Sequence, residues 1–397
     1  MTGSRSDQPL AALKVVELGH IVAGPTASLI LAEFGAQVTK IERPGSGDQA
    51  RANTHNQGHF VSYNSNKRSV CLELGVPSDK ALLLRLLDEC DVLIDNFAPG
   101  ALDRAGLDYE TLSARNPRLI HASIKGFLPG LHGDLPLTDE PAQMRGGLAY
   151  MTGPNGRPLR AGTSIVDITG AMFAAIGVLV ALEDRRRTGV GRKIDVGLFE
   201  SVVFLVGQHV ARASMTGEVP EPLAERGMGR DLGWGIYRTF RTRDDKDIFV
   251  AVLSDNHWER FCAEFGLHEL RADQSLSTNM GRARQHARLS DITSALMAQL
   301  DFKAAVERLN KARLPCAPVN TPLDLLDDAH LASLDFLKTV RSAQGQKARI
   351  ASLPIASPTW FDFPRGDPPT LGEHTREILA QLASEAGAAA KVRKEPT

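Results

Sequence analysis

Residues 13–18 (LKVVEL) form a short run rich in β-formers that ends at Gly19, and a small-residue turn, residues 20–25, follows. A helical stretch from about Thr26 to Phe34 stops at Gly35, and residues 36–42 (AQVTKIE) read as the next strand. Strand, turn, helix and strand within about 30 residues is the signature of a βαβ unit on a parallel sheet. The pattern recurs. Residues 69–74 read as a strand, 78–89 as a helix, 91–95 as a strand and 118–123 as one more strand. A doubly wound α/β domain is therefore expected.

Residues 167–187 have helical apolar periodicity and a basic end, which suits a helix C-terminus. A turn (188–192), a strand (193–196) and a helix (198–210) follow. The apolar run 170–182 is shorter than the roughly 20 residues a membrane span needs. Asp167 and Glu183 bound it, so a buried helix is expected, without membrane association. The segment MTGSRSDQPL has no apolar core of the secretory type, which points to a cytoplasmic protein.

The composition changes over residues 215–235, where Gly, Pro and charge suggest a linker. Residues 237–253 then read as two strands around the turn 242–247. Helices are expected at 256–265, 286–299 and 302–312, with an extended piece at 312–320. This looks like a second, smaller α+β domain. A Pro-rich stretch after Thr359 leads to a helix from Thr375 to about Ala388.

The length of 397 residues accommodates this organisation, at roughly 150 residues per domain. Lys and Arg total 46 against 47 Asp and Glu, so no basic bias argues for nucleic acid, and an anionic ligand needs a local site. Cys71, Cys90, Cys262 and Cys316 include no C-x-x-C pair and no zinc spacing. They read as free buried thiols in a reducing compartment, and no metal is expected.

The turn at residues 20–25 could hold a phosphate on its backbone N–H groups, or be a tight structural turn. It is not G-x-G-x-x-G, and no Walker pattern occurs, so neither dinucleotide nor ATP binding is supported. Arg43, Lys67, Arg68, Arg104 and Lys125 recur near strand boundaries. They are either solvated surface cations or one edge of an anion site. Asp167 heads an apolar helix, as a helix-capping group or as a carboxylate nucleophile. The histidines and Ser201 fit no nucleophile–base order.

Taken together these segments resemble the family III CoA-transferases, the group that includes formyl-CoA and carnitine CoA-transferases. The similarity runs from Leu10 almost to the C-terminus. It is carried by VVELGHIVAGP, FGAQVTKIERPGSGD, NSNKRSVCLEL, DVLIDNFAPGALDRAGLDYETL, NPRLIHASIKGF, RAGTSIVDITGAMFAAIGVL, RTGVGRKIDVGLFES, LPCAPVNT and LGEHT, in that order. The resemblance implies a large Rossmann-like domain built from both chain ends, residues 1–214 and 326–397. A small α+β domain spans 225–325, and two chains form an interlocked homodimer.

It also implies an acyl-CoA and a free carboxylic acid as substrates, with Asp167 as nucleophile. The carboxylate attacks the thioester to give a mixed anhydride, and CoA returns to give an aspartyl-CoA thioester. The implied CoA-binding positions are Val22, Ala23, Arg43, Leu72, Asn96, Phe97, Arg104 and Lys125.

Departures from the formyl-CoA pattern are informative. Val22 replaces a Gln, and the region 227–233 (GMGRDLG) lacks the family's glycine run and Gln. Gly75 replaces a Lys, and Thr138 replaces an aromatic residue. Arg145 and Arg230 are unshared cations, which suggests a small dicarboxylic acyl group of the succinyl type. A racemase of the same superfamily would need a His–Asp base pair, but Thr138 stands where the His belongs, before Asp139. A non-catalytic CoA-binding protein is the third reading.

Overall fold

The computed structural model describes residues 8–52, 54–222, 233–356 and 365–392. Six strands build the main sheet: β1 (Lys14–Leu18), β2 (Gln37–Glu42), β3 (Lys67–Cys71), β4 (Val92–Asp95), β5 (Ile120–Lys125) and β6 (Lys193–Gly197). Their order is β3-β2-β1-β4-β5-β6 and every neighbouring pair is parallel. The winding reverses between β1 and β4. The loops leaving those two strands diverge there, and ligands of such sheets bind in that crevice.

The connecting helices are α1 (Ala23–Glu33), α2 (Thr54–Tyr63), α3 (Pro77–Glu89), α4 (Ala101–Arg104) and α5 (Tyr109–Arg115), then α6 (Asp139–Arg145), α7 (Leu148–Thr152), α8 (Ile165–Thr188), α9 (Leu198–Leu205) and α10 (Gly207–Thr216). Strand side chains alternate between two cores. Val15, Val38, Ile94 and Ile124 pack with Ala27, Val178 and Val202 on one face. Val16, Leu18, Val70 and Leu93 pack with Leu83, Leu87 and Leu112 on the other.

The chain divides into two compact units. The first comprises residues 1–148, 161–210 and 329–397, and the second residues 149–160 and 211–328. In the second unit, α11 (Asp255–Phe265), α12 (His268–Ala272), α13 (Asn279–Arg284), α14 (His286–Met297) and α15 (Phe302–Lys311) accompany an antiparallel sheet. Its strands are β7 (Ile236–Arg241), β8 (Asp247–Val252) and β9 (Cys316–Pro318). Trp258, Phe261, Leu289 and Leu309 centre its core. Back in the first unit come α16 (Ala329–Ser333), the hairpin β10 (Leu337–Arg341)–β11 (Lys347–Ala351) and α17 (Thr375–Val392). The last of these docks beside β3: the Cys71 N–H donates to Thr375 Oγ1 at 3.0 Å, and the Gly372 N–H donates to Ser69 Oγ at 2.9 Å.

Three expectations need correcting. The helix foreseen at 198–210 is two helices, broken at Val206, whose N–H still reaches Val202 O. Lys67 is not a loop cation but a buried member of β3. And α8, at 24 residues, is long and apolar enough by length and composition to cross a membrane; it is not buried all round. One side packs on the sheet. On the other, Met172, Ile176 and Val180 are each more than half exposed. Their spacing of four residues makes a single apolar stripe.

Candidate active site

Local sequence places α8 unambiguously. Gly189 ends it at φ 76°, where a residue with a Cβ would be strained, and three arginines fill its last turn. Arg185 pairs with Asp91 at 2.8 Å and donates to Arg118 O, just ahead of β4 and β5. The C-terminus of α8 therefore lies at the strands' N-terminal edge. Its length of about 36 Å returns its head, with Asp167, to the opposite edge. That is the edge where the loops of β1 and β4 part.

The implied CoA-binding residues gather at this edge. Val22 and Ala23 open α1 after β1, and both are buried. Asn96, after β4, clamps the β1 loop. Its Oδ1 accepts the His20 N–H and its Nδ2 donates to His20 O, both at 3.0 Å. Phe97 lies 5.8 Å from the His20 ring. Lys125 ends β5, donating to Phe97 O at 2.7 Å and pairing with Asp95. Asp95 is held at about 2: burial alone would raise it, but the His121 hydrogen bond and the Lys125 charge prevail. Leu72 follows β3 and is buried. Arg43 is exposed and pairs with Glu73 at 3.0 Å, and Arg104 lies in α4 beside Gly100. α1 begins with no side-chain cap and no acidic residue in its first turn. Its leading N–H groups are thus a natural anion seat.

The β1 loop rests on a buried charge cluster. Lys40 Nζ reaches Glu17 at 2.6 Å, Asp48 at 2.8 Å and Gly19 O at 2.8 Å. Lys67 Nζ reaches Glu17 at 2.8 Å and Pro25 O at 2.8 Å. This corrects the grouping of Lys67 with ligand-facing cations, since its charge is consumed inside the fold. Burial lowers the Lys67 ammonium to about 8, against the pull of Glu17. Asp48 Oδ1 accepts the Ile21 N–H at 3.0 Å and holds Ile21 at φ 63°, a strained conformation for a β-branched residue. None of these supporting contacts is readable from spacing.

Asp167 stands apart. Burial, with a smaller contribution from the neighbouring Asp139 carboxylate, raises its carboxyl to about 7. Among the described residues no ion pair and no side-chain hydrogen bond engages that carboxylate. Asp139 faces the head of α8: its Oδ2 accepts the N–H groups of Val166 at 2.8 Å and Asp167 at 3.1 Å. Its carboxylate is committed to that main chain, and Thr138 beside it offers no imidazole. A desolvated, unpaired carboxyl near neutrality, at a ligand-binding sheet edge, has the properties of a reactive group.

Arg145 ends α6 with its guanidinium 4.9 Å from the Phe127 ring and 5.6 Å from the Phe199 ring. It has no carboxylate partner among the described residues. Arg230 lies outside the described residues. No group of three or more His, Cys, Asp or Glu among the described residues has metal-holding geometry.

Comparison with known proteins supplies the family. Residues 10–375 match the model of CoA-transferase family III. The chain is 32% identical over 385 residues to the succinyl-CoA:mesaconate CoA-transferase of Haloarcula hispanica, covering 92% of this chain and 94% of the relative. It is 32% identical over 401 residues to a formyl-CoA:oxalate CoA-transferase of Bradyrhizobium, covering 94% and 93% respectively. A CAIB/BAIF family protein from Brucella suis superposes with a TM-score of 0.83 at 30% identity, over 94% of this chain and 99% of that one. With a doubly wound sheet, an unpaired carboxyl at the C-terminal edge of its strands and a family match over residues 10–375, the chain belongs to CoA-transferase family III.

Proposed function

We propose that this CoA-transferase works through Asp167, moving CoA from an acyl-CoA to a free carboxylic acid. The observation that carries the reading is the Asp167 carboxyl: unpaired, partly desolvated and raised to about 7. Such a carboxylate is more basic, and so more nucleophilic, than an ordinary one, yet it remains substantially ionised at neutral pH. It attacks the donor thioester carbonyl, giving a mixed anhydride and CoA thiolate. The thiolate attacks the aspartyl carbonyl and releases the donor acid. The acceptor acid then runs both steps in reverse. One thioester replaces another, so the reaction is nearly thermoneutral.

Val22, Ala23, Arg43, Leu72, Asn96, Phe97, Arg104 and Lys125 hold the nucleotide and pantetheine portions of CoA. Their common position at one sheet edge supports this assignment, as does the uncapped start of α1. The acids are small dicarboxylates, with succinyl-CoA as donor. Arg145, a cation without a carboxylate partner in the same compact unit as Asp167, is the candidate for the far carboxylate. Mesaconate and oxalate, named for two relatives, are both dicarboxylates. The apolar stripe of Met172, Ile176 and Val180 supports a homodimer that covers it, and the unpaired cysteines suit a cytoplasmic enzyme.

Incubation with succinyl-CoA and a panel of carboxylic acids, followed by mass spectrometry, tests the reading. New thioesters form with the wild type and are absent with Asp167→Ala. Transfer that persists in Asp167→Ala removes the aspartyl mechanism. Dicarboxylate kinetics unchanged in Arg145→Ala remove the role of Arg145.

A further inference from the structure

Asp139 does more than end a loop. Its Oδ2 takes the Val166 and Asp167 N–H groups, while its Oδ1 accepts from Gln143 Nε2 at 2.6 Å. Gln143, fully buried, turns its Oε1 to the Ala161 N–H at 2.8 Å. Three points of main chain around the nucleophile thus hang on one carboxylate–amide pair. A helix is ordinarily capped by its own N-cap residue, but Ser164 makes no side-chain cap on α8. The cap comes instead from α6, and as a charge where a neutral oxygen would satisfy the same donors.

No cation pairs with that charge among the described residues; its partners are the N–H groups at the head of α8 and the Gln143 amide. Among the described residues, the titratable groups coupled to Asp167 are Asp139 on α6 and the Tyr63 phenol on α2. One turn along α8, Gly170 meets Leu198 and Ser201 of α9 and Ile124 of β5, none of them charged. The charged groups of the packed elements are engaged elsewhere: Glu200 of α9 with the Leu128 N–H, Lys125 of β5 with Asp95, Lys193 of β6 with Asp195, and Arg145 of α6 over the Phe127 and Phe199 rings. α1 carries no charged residue before Glu33.

We infer that Asp139 is a positioning residue that acts on Asp167 by charge: its fixed anion opposes the free Asp167 carboxylate, and the opposition vanishes once Asp167 is acylated. The inference rests on the aspartyl mechanism proposed above. In the first step an Asp167 oxygen bonds the thioester carbonyl carbon, the C–S bond breaks and the negative charge leaves on sulfur. In the second the sulfur bonds Asp167 Cγ, the anhydride C–O bond breaks and the charge leaves on the donor carboxylate. In both covalent forms Asp167 is neutral, so the repulsion burdens only the free enzyme.

Asp139→Asn removes the charge and keeps an acceptor for the Val166 and Asp167 N–H groups, while Gln143 Nε2 loses its acceptor; Gln143→Leu is the control for that second loss. In substrate-free protein labelled with 13C at the Asp carboxyls, Asp167 is the resonance missing from Asp167→Asn. That resonance titrates lower in Asp139→Asn than in wild type, by about 1 pH unit. The acid limb of kcat/KM moves the same way, and hydroxylamine traps less covalent enzyme at equilibrium with donor. Gln143→Leu cuts the tether but keeps the anion, so it lowers kcat and leaves the titration in place. An Asp167 titration unmoved in folded Asp139→Asn overturns the inference. Asp139→Ser makes the same loss of charge if the Asn variant does not fold. The titration is read without substrate, so its outcome is separate from that of the aspartyl mechanism, which fails on transfer by Asp167→Ala.

Discussion

Glu17 and Asp167 are carboxylates of the same compact unit, and the fold treats them in opposite ways. Glu17 is wholly buried but fully answered: Lys40, Lys67 and the Ser28 hydroxyl all donate to it. Burial alone would raise its carboxyl, yet the two ammonium groups hold it below the usual range. Asp167 is less deeply buried and has no counter-ion, so burial and then Asp139 raise it to about 7. Pairing, more than depth, separates the carboxylate that builds the fold from the one available for chemistry.

The contrast breaks most visibly at Glu17. Glu17→Gln leaves Lys40 buried with Asp48 as its remaining ion-pair partner and Lys67 buried with none among the described residues. The expected loss is about 3–5 kcal/mol, read by chemical denaturation at pH 7. A loss below about 1 kcal/mol would mean that the cluster does not support the β1 loop.

Asp167→Asn should have the opposite sign. Substrate-free, it removes an unpaired and partly desolvated charge, and at pH 8 the gain is on the order of 1–2 kcal/mol once partial exposure is discounted. The folded carboxyl sits at about 7, above its ordinary 3.8. The wild type therefore loses stability as pH rises from about 4 to 7, and the variant's advantage grows through that window and then levels. Asp95 behaves inversely. Held at about 2, it contributes stability above pH 4 that is lost as pH falls towards 2. Parallel stability curves for Asp167→Asn and wild type between pH 4 and 8 would erase the distinction.

The smallest effect belongs to Ile21. Its positive φ costs about 1–2 kcal/mol, which glycine avoids, while glycine's greater chain entropy offsets about 0.5–1 kcal/mol. Ile21→Gly should stay within about 1 kcal/mol of wild type in thermal melts. A larger loss would show that the loop depends on the Ile21 side chain rather than on its backbone.

The sheet was legible because Val15, Val16, Leu18 and their counterparts in β4 and β5 carry strand-forming residues between clear turns. The hairpin β10–β11 was not. Its buried residues are Val340 and Ile350, set among Lys and Arg that read as surface. Nor was α2, whose sequence THNQGHFVSY lacks an apolar period. Asp167 stood out at the head of an apolar helix, where a cap and a nucleophile read alike; its assignment as nucleophile, like the CoA positions, came from family resemblance. The partners of Glu17 were hidden: Lys40 and Lys67 lie 23 and 50 positions away, and side-chain pairing at that range leaves no periodic trace. Asp139 drew notice as half of a racemase pair, and only geometry revealed it as a helix cap.

The docking of α17 beside β3 has a consequence for biosynthesis. The Ser69 N–H is met by His374 Nδ1, 305 positions later. A ribosome that has released β3 must work for roughly 15–60 seconds before its partner emerges, at about 5–20 residues per second. Throughout that interval the first-made border of the sheet is open to chaperones and to neighbouring nascent chains. A chain truncated ahead of residue 365 would keep Asp167 but leave the edge N–H groups of Ser69 and Cys71 without the partners that close that border.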